Sequence, residues 1–598
     1  MPRLRAPLAT RVAAIAIAAI AASGIAAGHA AAASASPVVV GTDPYTTPVT
    51  GLHSTAVEPD SFAAGKTIVS AFQIGRYEDG GAANVGFATS TNAGATWTRG
   101  ALPGITLAGG GPSARVTDAA VAYDPKHKVW LIASTPLDDP PSIRGNSIAV
   151  NRSIDGGRTW TAPVTVAAAT GNSDFDKNWI ACDRTPTSPH FGNCYVQWDD
   201  YGNEGRILMS TSTDGGLTWG AAKATADDAH GLGGQPVVQP GGKVVVPYSI
   251  IDESGIAAFH STDGGATWST SVIVDGVDHH TPAGGVRAGA LPSAETDGAG
   301  RVYLTWEDCR FRACGTNDIV MTTSADGVHW SSVNRVPIDS VGSGIEHFVP
   351  GIGVDPATAG TRAHLGLAYH AIANGPCTPD TCQVRVGFVD SLDGGRTWSK
   401  PVQLSPAMHP SWLAPTSQGY MTGDYISTSF AAGLPHPLFA AALAPSNGTL
   451  HEAIYAGSPP LAGPPLAARR ITDLRVRPFR FRPRRSGLAI ATVRGAKVTY
   501  RASGRGPTRF TVSRRVTRHG DACSPAQDTC RFWAPLRGHF SRQDAKGANS
   551  LRFTGRLRGK ALKPGLYRLG ARPRDKSRPP AKRAYARFRI VSGASEAR

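Results

Sequence analysis

One octapeptide recurs along the chain and limits its fold more than any other feature. It reads STNAGATW (Ser90 to Trp97), SIDGGRTW (Ser153 to Trp160), STDGGLTW (Ser212 to Trp219), STDGGATW (Ser261 to Trp268) and SLDGGRTW (Ser391 to Trp398), with a shortened copy, SADGVHW, from Ser324 to Trp330. Its tryptophans are 63, 59, 49, 62 and 68 residues apart, a period that suits a four-stranded sheet and is too long for a helical hairpin repeat. The chemistry of each copy is local. Asp accepts hydrogen bonds from neighbouring backbone, Gly takes the positive φ of the reversal, and Trp packs beside the turn. A calcium loop would need a bidentate acid about nine residues on, and none recurs there. Glycine and proline together make 19% of the 598 residues without a Gly-X-Y period, which favours turns and short strands. With 41% hydrophobic residues, the chain is not mostly disordered.

The pattern Ser-x-Asp-x-Gly-x-Thr-Trp is the Asp box, and on it the chain resembles the sialidase (neuraminidase) superfamily of BNR-repeat β-propellers over about residues 58 to 405. The resemblance implies an all-β propeller whose boxes join the third and fourth strands of each blade, on the face opposite the active site. Two copies depart from the pattern, with Asn92 in place of Asp and His329 in the shortened box. Each box is preceded by strand-like runs whose first members start at EPDSFA (Glu58), TDAAVAYDP (Thr117), DKNWIACD (Asp176), QPVVQP (Gln235), LPSAETD (Leu291) and VPGIGVDP (Val349). A seventh start, GDYISTSF at Gly423, leads into three strands without a box, and PVVVGTDPY (Pro37 to Tyr45) is free to supply the fourth. Such closure would remove exposed sheet edges. The expectation is seven blades, with six as the alternative, followed by a β-sandwich.

Residues 1–36 read as an export signal, with Arg3, Arg5 and Arg11 ahead of an Ala/Ile run and small residues. The propeller is expected at 37–457, a Pro-rich linker at 458–468, and a sandwich similar to bacterial immunoglobulin-like modules at 469–598. Charge divides at the same place. Residues 469–598 hold 35 basic and 6 acidic residues, a net of +29, while residues 37–468 carry a net of −15. The basic unit fits an anionic cell-wall polymer or acidic polysaccharide better than nucleic acid, for which no reader motif is evident. The eight cysteines form close pairs, Cys182 with Cys194, Cys309 with Cys314, Cys377 with Cys382 and Cys523 with Cys530, and read as disulfides of an exported chain. Their spacing fits no zinc site. A secreted or envelope-associated monomer without cofactor, metal or membrane-spanning segment is expected.

In a propeller the first strand of each blade lines the channel, so the strand starts converge: Glu58, Asp118, Lys177, Gln235, Leu291, Val349 and Asp424. Arg76, Trp306, Asp308 and Arg310 lie in loops expected on the same rim, and Arg115 and Arg287 precede their strands. A polar rim with aromatics and arginines suits a glycan or glycoconjugate. For hydrolysis, the acid candidate is Asp118, with Tyr425 beside Asp424 and near Glu58 as nucleophile and base; the family uses a Tyr nucleophile. The resemblance also implies three arginines on a sialic acid carboxylate, with Arg76, Arg115, Arg287 and Arg310 available. Lys177, Trp306 and Asp308 complete the substrate-binding set. The family's Phe/Tyr-Arg-Ile-Pro motif is absent, its place taken by AVEPDSFA. Two readings therefore stay open, a glycan-active protein of sialidase-like type and a non-catalytic propeller that binds protein or polymer.

Overall fold

The structure is a computed structural model that describes residues 35–47, 51–139, 141, 143–373, 375–458, 470–486, 488–491, 495–503, 506–519, 529–573 and 583–592. Nearly all of the expected export signal and of the linker, and Cys523, lie outside these residues. Alternating apolar and turn residues give antiparallel meanders of four strands. One example runs Phe175–Cys182, Cys194–Asp200, Arg206–Ser212 and Lys223–Ala224. Seven such units occur among the described residues. Their first strands, Leu52–Ala64, Arg115–Asp124, Phe175–Cys182, Val237–Val238, Ser293–Thr296, Glu346–Val354 and Ser427–Ala431, each pack on the next, and the last packs on the first. The cycle of contacts makes a closed propeller ring. The seventh sheet takes its outer strand from the start of the described chain, where Ala35–Gly41 pairs antiparallel with Thr449–Ser458.

Each octapeptide forms the turn between third and fourth strands, and its hydrogen bonds explain its letters. In the second copy Ser153 Oγ donates to Asp155 Oδ1 at 2.8 Å and accepts from Gly157 N at 3.0 Å, and Thr159 Oγ1 donates to Asp155 Oδ2 at 2.7 Å. Partial burial would raise the Asp155 pKa, but the bonds from Thr159, Ser153 and Arg158 outweigh it and bring it to about 2. The departing copies keep the scheme. Asn92 Oδ1 accepts from Thr96 N at 2.9 Å, and His329 Nδ1 reaches Asp326 Oδ2 at 2.8 Å in place of the missing threonine.

The boxes also lock neighbouring sheets together. A Cβ on Gly157, at φ +79°, would lie 2.6 Å from Val69 of the preceding sheet, and Thr89 of that sheet donates to the Gly157 carbonyl at 2.6 Å. The equivalent Gly216, Gly265, Gly327 and Gly395 meet Leu131, Thr211, Val245 and Met321 in the same way.

Three disulfides, Cys182–Cys194, Cys309–Cys314 and Cys377–Cys382, are formed as the spacing predicts. They fit an extracellular protein. No helix among the described residues is long and apolar enough to cross a membrane. Beyond the ring, a four-stranded sheet containing Ile471–Arg477, Ala496–Ala502 and Gly547–Phe553 faces a five-stranded sheet containing Gly506–His519, Thr529–Asp544, Gly565–Pro573 and Ala584–Ile590. They share one core that includes Val498, Phe510, Phe553, Leu569 and Phe588.

The docking of the box on its neighbour predicts that Gly157→Ala destabilises the protein by about 3–4 kcal/mol, from left-handed strain plus overpacking. Gly65→Ala, also at positive φ but with nothing within 4 Å of its Cβ, costs about 1–2 kcal/mol. Denaturant unfolding of the two variants checks the difference.

Candidate active site

The mouth of the ring is built by a recurring backbone irregularity. Glu58, Asp118, Lys177 and Val349 have φ of +54°, +51°, +47° and +46°. Each falls where the register of its first strand shifts against the second. Such a bulge re-aims a side chain, here at a cost of about 1–3 kcal/mol per non-glycine residue. All four belong to the strand starts that the sequence aligns.

Three sheets and a loop meet around one carboxylate. Asp424 Oδ1 accepts from Arg287 Nε at 2.7 Å, and its Oδ2 accepts from Arg287 Nη2 at 2.5 Å and Lys177 Nζ at 2.6 Å. The Asp424 backbone N–H donates to Glu58 Oε1 at 3.0 Å, and Gln73 Nε2 donates to Glu58 Oε2. Lys177 also lies 3.8 Å from Asp118 Oδ1. Arg76 is buried alongside, with its Nε directed to Met421 Sδ at 3.2 Å. Burial would raise the Asp424 pKa, but Arg287 and Lys177 hold it well below the usual carboxylate range. Glu58 is pushed up, by burial first and by the Asp424 charge second.

Asp118 is the exception in this network. It is 1% exposed, and neither carboxylate oxygen meets a donor. Burial drives its pKa well above the usual range; Lys177 opposes the shift, and the neighbouring Asp176 and Glu58 add to it. The Asp118 carboxyl lies near that of Asp176, on the next sheet of the ring. A small cavity joins Asp118, Lys177, Asp424 and Tyr425 with Trp179 and Gln235. A buried acid whose pKa is pushed up beside fixed cations is suited to giving its proton to an oxygen leaving group.

Other rim candidates lie elsewhere. Trp306 is fully buried in the core between sheets, with its indole N–H on Asp308 Oδ2 at 3.2 Å, so it offers no stacking surface. Strand alternation turns it inward, and Asp308 with it. Arg310 is held by Asp308 at 2.7 Å and Asp275 at 2.9 Å, and Arg115 by Asp79 at 2.5 Å and the Tyr77 ring at 4.0 Å. Only Arg76 and Arg287 of the four arginines join the cluster, so the expected three-arginine grip is not assembled. Tyr425 reaches the cavity, but its hydroxyl points to Ala119 O at 3.4 Å, and burial with Glu58 and Asp118 pushes its pKa well up, against a nucleophile's needs. Asp424, fully engaged by cations, is an anchor for them.

Sequence reasoning missed Asp176 and a second group on the rim, His279, whose Nε2 lies 2.6 Å from buried Glu307 Oε1 while Glu307 Oε2 accepts from Val349 N at 2.6 Å. The adjacency of Asp176 to Lys177 and of Glu307 to Trp306 was the available signal. Asp318, Asp339 and His347 lie close enough to share a metal ion. Arg312 and Arg335 already pair with Asp318 at 2.7 and 2.6 Å and also reach Asp339, so their charges occupy the place a cation would take.

Against known proteins, no family model matches the chain. Over 159 residues the chain is 30% identical to a sialidase from Micromonospora viridifaciens. The fold is a closed all-β propeller, and the sequence likeness to a sialidase covers part of it. The match takes in 22% of this chain and spans about a quarter of the length of that relative, 24%. Among solved structures, the NanB sialidase from Streptococcus pneumoniae aligns at 13% identity and TM-score 0.38, over 71% of this chain and 70% of that one. An intramolecular trans-sialidase from Ruminococcus gnavus aligns at 14% and 0.34, over 69% and 95%. An α-L-arabinofuranosidase from Fusarium graminearum aligns at 14% and 0.35, over 60% and 98%.

A carboxyl with a raised folded-state pKa stabilises the protein below its unfolded pKa and loses that contribution as pH rises through the folded value. Asp118→Asn is therefore expected to match wild type in thermal stability near pH 4 and to exceed it at pH 7, by on the order of 2 °C or more. Melting curves at the two pH values check this; an equal or lower Tm at pH 7 would contradict a protonated Asp118.

Proposed function

We propose that the chain is an exported glycan-active protein in which Asp118 is the general acid of a sialidase-like glycoside hydrolase. The observation that carries the reading is the donorless, buried Asp118 carboxyl facing the cavity at the ring's mouth. Its proton would pass to the glycosidic oxygen as that oxygen's bond to the anomeric carbon breaks; a water molecule would then add to the anomeric carbon and return a proton to the Asp118 carboxylate, with Asp176 orienting the acid. Lys177 and Arg287, already fixed by Asp424, would bind substrate oxygens without reorganisation. The likeness to the Micromonospora viridifaciens sialidase supports a glycan substrate. The missing arginine grip argues for a glycoside other than a sialoside. The basic C-terminal unit reads as an immunoglobulin-like module that holds the enzyme at an envelope polymer.

The alternative is a propeller that binds glycan, protein or polymer without turnover. It is favoured by the saturation of Glu58, whose two oxygens are taken by Gln73 and the Asp424 N–H, leaving it poorly placed as a base.

Assays on a panel of aryl glycosides and sialosides separate the two. On the enzyme reading, Asp118→Asn lowers kcat by about 100-fold or more with KM little changed, and the rate of the wild type falls as pH rises through the Asp118 pKa. Tyr425→Phe retains turnover within about threefold, since the hydroxyl is placed as a structural donor. Absence of turnover on every substrate, with glycan binding retained, establishes the binding reading instead.

A further inference from the structure

The five-stranded sheet beyond the ring has two unlike faces. One carries Phe510, Val512, Leu569 and Phe588 into the core. On the other, register sets Arg515 opposite Trp533, Ser513 opposite Arg568 and Arg568 opposite Arg587, with Tyr585 two residues before Arg587. The side chains form a stacked array. The Arg568 guanidinium lies 5.2 Å from the Trp533 ring centroid and 4.3 Å from that of Tyr585, and Arg515 and Arg587 reach Trp533 at 5.8 and 5.9 Å. Tyr585 and Arg587 are exposed, while Arg568 is half-buried, with its Nε enclosed and without an acceptor. No carboxylate pairs with Arg515, Arg568 or Arg587 among the described residues.

This arrangement differs from a merely solvated basic surface. An arginine stacked on a ring keeps its N–H edges free and oriented, and these edges match a carboxylate bidentately. The same stacking occupies the aromatic planes on which bases of single-stranded nucleic acid would lie. What remains is a row of oriented anion-binding edges across three strands, within a segment of net charge +29.

We propose that this face binds an acidic polysaccharide, with uronate carboxylates of successive sugars taken by Arg515, Arg568 and Arg587. The choice of a saccharide polymer rests on the glycan reading of the ring, whereas the anion-binding face stands on its own geometry. Binding of full-length protein to polygalacturonate, measured by titration calorimetry, tests it, with neutral dextran and duplex DNA of matched charge as comparisons. Expected are binding that weakens steeply with salt, no binding to dextran, and a Kd about tenfold weaker for Arg568→Ala and for the exposed-site variants Tyr585→Ala and Arg587→Glu. Wild-type Kd in all three variants, absence of binding at low salt, equal binding to dextran, or tighter binding to the duplex each overturns the proposal. Asp118→Asn is expected to bind the polymer as wild type does, so a failed polymer site and a failed catalytic reading are told apart.

Discussion

In a ring of sheets no strand pairs across from one blade to the next as a rule, so the interfaces depend on side chains and on how closely turns approach. Here the close approach is made by a glycine in each box, which rests on the preceding sheet where a Cβ would meet His436, Val69, Leu131, Thr211, Val245 or Met321. The serine, aspartate and threonine of the box hold that glycine in its left-handed conformation from within. The motif is thus both the turn of one sheet and a contact surface for another, which explains why its period runs through the ring while its residues stay far from the mouth. Scaffold and chemistry are assigned to opposite ends of the same strands.

At the other end, the first strands bring charges together that are distant in the chain. Asp424, Lys177 and Arg287 are joined by hydrogen bonds across sequence separations of 247 and 137 residues. Two cations on one carboxylate leave a surplus of positive charge beside Glu58 and Asp118, yet the Asp118 pKa is still pushed up because burial outweighs Lys177 at 3.8 Å. The bulges matter for the same reason. A regular strand would send alternate side chains into channel and core, whereas a left-handed residue at Glu58, Asp118 and Lys177 turns each toward the mouth.

The fold was legible in the sequence because its determinants are local: eight contiguous residues specify each box, and an unmatched third strand at His451–Gly457 pointed to the partner at Pro37–Tyr45. The positions converging at the mouth were also legible, since Glu58, Asp118, Lys177 and Asp424 start equivalent strands. Which pairs form among them was not, because pairing depends on side-chain reach across the channel and leaves no spacing signal. Arg287 and Arg310 look alike as loop arginines, but one crosses to Asp424 and the other folds back on Asp308. Trp306 failed for a different reason. An aromatic near a strand end reads as rim, and only the strand's phase sets it against Val302, Leu304 and Val320 in the core.

The pairing of Ala35–Gly41 with Thr449–Ser458 carries a consequence for how the chain is made. Synthesis proceeds from the N-terminus, so Ala35–Gly41 is made long before Thr449–Ser458 and finds its partner only after the rest of the ring has followed it. Closing so long a loop adds little entropy cost, because that cost grows only with the logarithm of length, but it imposes a wait. During that wait a Val-rich edge strand and an open seventh sheet stay available to other chains. Assembly of this ring is therefore governed by the order of emergence, and its most vulnerable moment falls just before the last strand arrives.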